Sequence, residues 1–182
     1  MSATQYEFTT RWRVRATCEE VTEVLSDALD LPRWWPSVYL EVTELAHGDP
    51  DTGIGREIAL FTKGWLPYTL RWSFTVVENR RPYGFSLIPH GDFEGRGDWH
   101  FAQDGEWCDI TYDWRIEARK PLLRLLSPVM KPVLEANHRW AMARGEESLR
   151  LELERRHAPD AAARARVAPP PPATFYRRPA RT

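Results

Sequence analysis

A chain of 182 residues is long enough to bury most of the surface of one domain, which is the default expectation at this length. The net charge of −1 divides unevenly: residues 1–154 carry 18 basic and 25 acidic residues, and the remainder is arginine-rich. A net acidic folded part argues against a nucleic-acid-binding module, which normally presents a basic face.

The chain has two cysteines, Cys18 and Cys108, without a CxxC motif. The N-terminus lacks a charged start followed by an apolar stretch, and no run approaches the ~18 apolar residues of a membrane-spanning helix. We therefore expect a cytoplasmic protein with reduced thiols, no membrane span and no bound cofactor. The sequence does not specify an oligomeric state.

The first elements along the chain are a strand and two short helices. Residues 6–16 alternate apolar and polar side chains, which predicts a strand with one wet face. Thr17 is a suitable N-cap for a short helix whose first turn is acidic. Pro32 then begins a second short helix through Trp34 and Trp35, which Pro36 ends.

Six more segments have strand character, with Trp72, Trp99 and Trp114 at apolar positions of the alternation. These predicted strands span residues 38–45, 55–62, 68–76, 84–89, 93–103 and 108–117. The Asp104-Gly105 pair predicts that the last two strands form a hairpin.

A long helix is predicted from Pro121 or Ser127 to about Arg156. Ser127 and Pro128 make a good N-cap and first-turn pair, so the preceding turn is either part of this helix or a separate short one. Residues at spacings of three and four predict its inward face: Leu126, Val129, Val133, Asn137, Trp140, Arg144, Ser148 and Leu151. Residues 157–182, rich in proline, alanine and arginine, are predicted to be disordered.

This order of elements predicts an α+β fold in which a curved antiparallel sheet of six or seven strands wraps around the long C-terminal helix. With this order of elements, the chain resembles the START-like, or helix-grip, superfamily in its bacterial polyketide cyclase/dehydrase-like branch. The resemblance covers roughly residues 5–155 and is carried by several short motifs, among them Lys63-Gly64-Trp65-Leu66-Pro67-Tyr68, Gly95-Arg96-Gly97-Asp98-Trp99, Thr111-Tyr112-Asp113-Trp114 and Asn137-His138-Arg139-Trp140.

The resemblance implies that residues 1–156 form a ligand-binding domain with a deep cavity between sheet and helix for an apolar or amphipathic molecule. It does not specify an activity, because relatives include cyclases, lipid carriers and hormone receptors. Inward-facing rings either line such a cavity or fill the core. As ligand-binding candidates we take Trp35, Trp65, Tyr68, Trp72, Trp99, Tyr112, Trp114, Asn137 and Arg144.

Two of these candidates are polar residues of the long helix. Asn137 and Arg144 are predicted on its buried face, where they either bind an oxygen-bearing ligand or serve packing, with Arg144 paired to Glu147 or Glu57. The hairpin at Trp65 is either a lid for the cavity or a loop docked on the helix. No catalytic residue stands out, because no histidine lies at a spacing that places it beside a carboxylate.

The sequence thus favours binding of a hydrophobic or aromatic small molecule, lipid- or polyketide-like, without demonstrated catalysis. The alternative is an enzyme of the polyketide cyclase/dehydratase type that folds its substrate and polarises carbonyl groups. A third hypothesis is a partner-binding module that acts through the proline-rich tail. A metal site is not expected, since the acidic and histidine residues at 90–100 lack a converging spacing.

Overall fold

The computed structural model describes residues 5–118 and 121–175 and confirms the predicted α+β fold. Seven antiparallel strands form one sheet: β1 Gln5–Arg15, β2 Tyr39–Ala46, β3 Glu57–Lys63, β4 Thr69–Asn79, β5 Gly84–Gly91, β6 Phe93–Asp104 and β7 Trp107–Ala118. The strand order is β1-β7-β6-β5-β4-β3-β2, so β1 and β2 are the two edges of the sheet although they are consecutive in the chain. Two short helices, α1 (Cys18–Ser26) and α2 (Leu31–Trp34), cross between these edges.

Helix α1 begins where the sequence predicts, because Thr17 forms a capping box with Glu20. The Thr17 hydroxyl accepts a hydrogen bond from the Glu20 backbone N–H at 3.2 Å. The Glu20 carboxylate accepts one from the Thr17 N–H at 2.8 Å. Two otherwise unpaired donors at the helix end are thereby satisfied.

The β6–β7 hairpin turns at Gly105, as the Asp-Gly pair predicts. Its register pairs Trp99 with Tyr112 and Gly97 with Trp114. Because side chains alternate across a strand, all four residues lie on the same, inward face of the sheet. This register places a continuous set of rings on the concave side of the sheet.

Helix α3 (Pro121–His157) is continuous, so the structure has no break at Ser127. From residue 131 onward, where its side chains are described, the buried positions are Met142, Gly145, Ser148, Leu149, Glu152 and Leu153. The predicted inward face was therefore only partly right: Asn137 and Ser148 lie on the inner side, but Arg144 does not. The predicted members Leu126 and Val129 lie outside the residues whose side chains are described.

A close contact at Gly145 determines which face of α3 packs inward. A Cβ atom at Gly145 would lie 2.2 Å from the indole of Trp35, so the helix packs on that ring through its glycine. An ion pair between the buried Glu152 and the half-exposed Arg33 fixes the same face further along the helix: Arg33 donates to both oxygens of Glu152, at 2.7 and 2.8 Å. Burial alone would raise the pKa of Glu152, but the hydrogen bonds from Arg33 and Arg156 lower it.

The chain beyond His157, predicted to be disordered, is described as far as Phe175. Asp160 caps a further helix, α4 (Ala161–Arg166), by accepting a hydrogen bond from the Ala163 N–H at 2.7 Å. An extended proline-rich stretch follows and brings Thr174 against the loop between β3 and β4. Within the described ranges, no helix combines the length and the apolar character that crossing a membrane requires.

Candidate functional site

A pocket of about 150 Å³ lies between the concave face of the sheet and α3. The sheet contributes mainly aromatic and aliphatic side chains to its walls: Tyr6, Phe8, Tyr39, Leu70, Trp72, Tyr112, Trp114 and Ile116. Helix α3 contributes Leu134, Asn137, His138, Ala141 and Met142. Such a mostly apolar concavity with a few polar groups is typical of small-molecule sites.

The aromatic wall is a connected set of rings from three strands. Tyr112 stacks on Trp99, with 4.0 Å between ring centroids, and on Trp114, with 5.6 Å. Trp72 of β4 lies 5.7 Å from Trp114, and its indole N–H donates to the Thr62 hydroxyl at 3.1 Å. Mutual packing restricts the rotamers of these rings.

Gly97 makes this wall possible. A Cβ atom at Gly97 would lie 2.8 Å from the Trp114 ring and 2.9 Å from the Tyr112 hydroxyl, closer than packed atoms tolerate. We expect Gly97→Val to destabilise the protein by about 1–3 kcal/mol, because overpacking forces both rings off their rotamers.

Urea unfolding and near-ultraviolet circular dichroism measure the effect of Gly97→Val. Ala102→Val is the matched control, since Ala102 is exposed on the same strand. If the two variants were equally stable, the wall would not require a glycine at residue 97.

The pocket contains several polar groups whose protonation states follow from burial. Burial, with a smaller contribution from Tyr6, raises the pKa of Tyr68 to about 12. Burial raises the pKa of Tyr39 and that of Tyr112 as well. These phenols are therefore protonated near neutral pH and can donate hydrogen bonds to an oxygen-bearing guest.

His138 is the one histidine among the pocket-lining residues that the structure describes. Burial, and secondarily Arg139, lowers its pKa to about 4, so the imidazole is neutral near pH 7. Its ring stacks on Phe8 with a centroid distance of 4.1 Å. In the described ranges, Nε2 of His138 and Nε1 of Trp35 are buried without a hydrogen-bond partner.

Asn137 connects the pocket to the loop between β3 and β4. Its side-chain oxygen accepts a hydrogen bond from the Leu66 backbone N–H at 3.2 Å. Gly64 packs directly against it, since a Cβ atom there would lie 2.1 Å from Oδ1 of Asn137. The loop docks on α3, as one of the two hypotheses for the hairpin predicts, and Gly64 also lines the pocket.

Most, but not all, of the sequence-derived candidates line this pocket. Those that do are Trp35, Tyr68, Trp72, Tyr112, Trp114 and Asn137. Trp99 belongs to the same set of rings but is not a lining residue; it packs between Tyr112 and Trp12. Trp65 lies on the loop with 37% of its surface exposed.

Arg144 points away from the pocket because α3 packs through Gly145. Its guanidinium pairs with Glu147 at 2.5 Å, and 40% of its side chain is exposed. This is the packing alternative that the sequence left open for it. Sequence patterns did not single out four pocket residues, namely Lys63, Leu134, His138 and Met142. The spacing of Leu134, Met142, Leu149 and Leu153 is the sequence signal that indicates the correct face of α3.

A seven-stranded antiparallel sheet with a long C-terminal helix over its concave face is the helix-grip architecture of START-like proteins. The chain belongs to the family described as polyketide cyclase/dehydrase and lipid transport, whose model matches residues 5–154. None of the curated proteins matches the sequence significantly.

Solved structures share the fold at low sequence identity. The Zhui aromatase/cyclase of Streptomyces sp. R1128 is 19% identical, with a TM-score of 0.64 over 87% of this chain and 98% of its own. A Thermus thermophilus protein is 17% identical, with a TM-score of 0.63 over 79% and 97%. A START superfamily protein of Mycobacterium smegmatis is 16% identical, with a TM-score of 0.60 over 81% and 97%. These similarities establish the fold alone.

Proposed function

We propose that this protein binds one small hydrophobic or aromatic molecule, lipid- or polyketide-like, in the pocket between the sheet and α3. One observation carries the proposal: the pocket has mostly aromatic and aliphatic walls, and two of its lining residues bear buried nitrogens without partners in the described part of the chain. An unsatisfied buried polar group costs about 1–3 kcal/mol, which a guest with an oxygen atom would recover.

The size of the pocket supports a compact guest. Apolar cavities of about 150 Å³ accommodate a molecule the size of benzene. A guest with one or two rings can stack on the walls, and the phenols of Tyr68 and Tyr112 are available to orient its polar group. A longer acyl chain would extend toward the loop between β3 and β4, where Gly64 lines the pocket.

Native mass spectrometry of freshly purified protein tests this proposal. A retained small molecule, or uptake of an added neutral probe such as 2-naphthamide, is the expected result. Ala141→Phe should abolish uptake by filling the pocket, since Ala141 lines it. Ala143→Phe is the matched control, because Ala143 is exposed two residues further along the same helix. Equal uptake by both variants would contradict a site beneath α3.

A second candidate function is a cyclase/dehydratase reaction in the same pocket. It is favoured by the place of His138 in the pocket lining, where its imidazole is neutral and its Nε2 atom has no hydrogen-bond partner in the described ranges. The lowered pKa makes this imidazole a weaker base than an ordinary histidine. In such a reaction His138 would take a proton from a carbon flanked by two carbonyl groups, and the phenol of Tyr68 would hold the developing oxyanion. The resulting carbanion would attack a more distant carbonyl carbon of the same chain, and the protonated His138 would return its proton to the alkoxide that forms. Loss of this hydroxyl group with a hydrogen from the adjacent carbon would release one water.

Incubation with an aryl 1,3,5,7-tetraketone separates the two functions, because its first activated methylene closes a six-membered ring on the fourth carbonyl carbon. A product lighter by one water, formed by the wild type and not by His138→Phe, indicates catalysis. Recovery of the unchanged tetraketone bound to the protein indicates a carrier or sensor.

We also propose a cytoplasmic location. Cys18 and Cys108 are free and buried, with their sulfur atoms 3.5 Å apart. Two thiols this close without a covalent bond are consistent with a reducing compartment.

A further inference from the structure

Lys63 is a buried cation at the edge of the pocket. It is the last residue of β3, lines the pocket and has only 5% of its surface exposed. An ammonium group has three N–H donors and is costly to bury without a counter-charge. Burial accordingly lowers the pKa of Lys63. No carboxylate in the described ranges forms an ion pair with it.

The partners of this ammonium come from the C-terminal tail. The Lys63 ammonium donates to the backbone carbonyl of Thr174, and the ring of Phe175 lies 5.8 Å from the nitrogen. The Thr174 hydroxyl lies within hydrogen-bond range of the carbonyl oxygens of Gly64 and Trp65, at 3.4 and 3.5 Å. The tail is therefore docked on the loop that borders the pocket.

The chain segment that precedes Thr174 is anchored and conformationally restricted. Arg155 of α3 donates a hydrogen bond to the Ala168 carbonyl and anchors the start of the extended stretch. Four prolines at residues 169–172 follow, and such a run resists bending because each ring fixes its backbone angle φ. The tail thus places a backbone oxygen beside the Lys63 ammonium. In the described part of the domain, this ammonium has no anionic partner.

We propose that Lys63 binds the carboxylate of an aromatic carboxylic acid seated in the pocket, and that the Thr174 carbonyl competes for the same ammonium. The inference rests on the proposed function, because it names the ligand class of that pocket. A carboxylate is the stronger partner, since charge-assisted hydrogen bonds are roughly twice as strong as those to neutral acceptors. The rings of Trp72 and Trp114 would receive the aromatic part of the ligand.

The test compares 2-naphthoate with its neutral counterpart 2-naphthamide by isothermal titration calorimetry on the full chain. We expect the wild type to prefer the carboxylate. Lys63→Met should lose at least tenfold in affinity for 2-naphthoate and change by less than twofold for 2-naphthamide. Lys63→Arg, which keeps the charge, should retain most of the preference for the carboxylate.

A second full-chain variant tests the tail and does not alter Lys63. Replacing residues 169–172 by Gly-Ser-Gly-Ser raises the entropic cost of docking Thr174. Its affinity for 2-naphthoate should rise several-fold, and its affinity for 2-naphthamide should stay within twofold. If Lys63→Met fails to fold, this variant still tests whether the tail and a carboxylate compete for the Lys63 ammonium.

The outcomes separate this inference from the function on which it rests. Binding of both probes without a selective loss in Lys63→Met would overturn the role of Lys63 and leave the pocket intact. The lack of a selective gain in the Gly-Ser variant would overturn the competition by the Thr174 carbonyl. Binding of neither probe by the wild type and the Gly-Ser variant would overturn both proposals.

Discussion

Between pH 6.5 and pH 4.5 the free energy of unfolding is expected to fall by roughly 2–3 kcal/mol because of His138 alone. Burial lowers the pKa of this imidazole from 6.5 to about 4 in the folded protein. In that interval the unfolded chain binds a proton that the folded chain does not, so lowering the pH favours unfolding. The contribution of His138 is complete above its unfolded pKa and is lost as the pH falls toward 4.

Urea unfolding at a series of pH values measures this dependence. His138→Phe preserves the stacking on Phe8 and removes the titrating imidazole, so its stability should fall by roughly 2–3 kcal/mol less than that of the wild type over the same interval. The remaining slope comes from carboxylates such as Glu152, whose pKa values the fold lowers. His100→Gln is the matched control and should retain the wild-type slope, because His100 is exposed. An unchanged slope in His138→Phe would show that the imidazole is hydrated in the folded state.

Trp114→Ala is expected to cost about 3–5 kcal/mol of stability, since it removes a large ring from the centre of the aromatic wall. Trp114 is 5% exposed and contacts both Trp72 and Tyr112. The variant should also lose uptake of 2-naphthamide, because the wall no longer presents a fixed surface. Trp72→Ala should weaken uptake in the same direction.

Trp107→Ala is the control for this pair. The Trp107 ring is 40% exposed and lies beneath the guanidinium of Arg13, far from the pocket lining. Calorimetric titration at a temperature where all three variants are folded compares them directly. Equal loss of uptake in the three would mean that the inward rings are ordinary core and do not contact a guest.

The sheet could be predicted from the sequence because strand periodicity is local. Alternation around Trp99 and Trp114, together with the Asp-Gly turn, was sufficient to give the β6–β7 hairpin and its inward face. The cap of α1 was equally local, since Thr17 and Glu20 interact within one turn. These features depend on neighbours in the chain, and the structure confirms them.

The face of α3 could not be predicted with the same precision. A rotation by one residue, about 100°, exchanges one helix face for another, and this helix has mixed composition throughout. The contact that sets the rotation, Gly145 against Trp35, joins residues far apart in sequence. Arg144 was therefore assigned to the pocket and His138 was not.

The partner of Lys63 was equally hidden from the sequence. Composition alone predicted that the tail lacks structure, but α4 and the proline run bring Thr174 back to the β3–β4 loop. That contact spans more than a hundred residues and involves a backbone carbonyl, which no side-chain pattern reports. Long-range contacts of this kind decide which polar groups face the pocket.

A crystal structure of the protein grown with 2-naphthamide tests the central claim most directly. We expect one probe molecule between Trp72, Trp114 and α3, within hydrogen-bond distance of a phenol, the Trp35 indole or the His138 imidazole. An interior closed by side chains, with the probe absent or bound only at the outer surface, would contradict that claim.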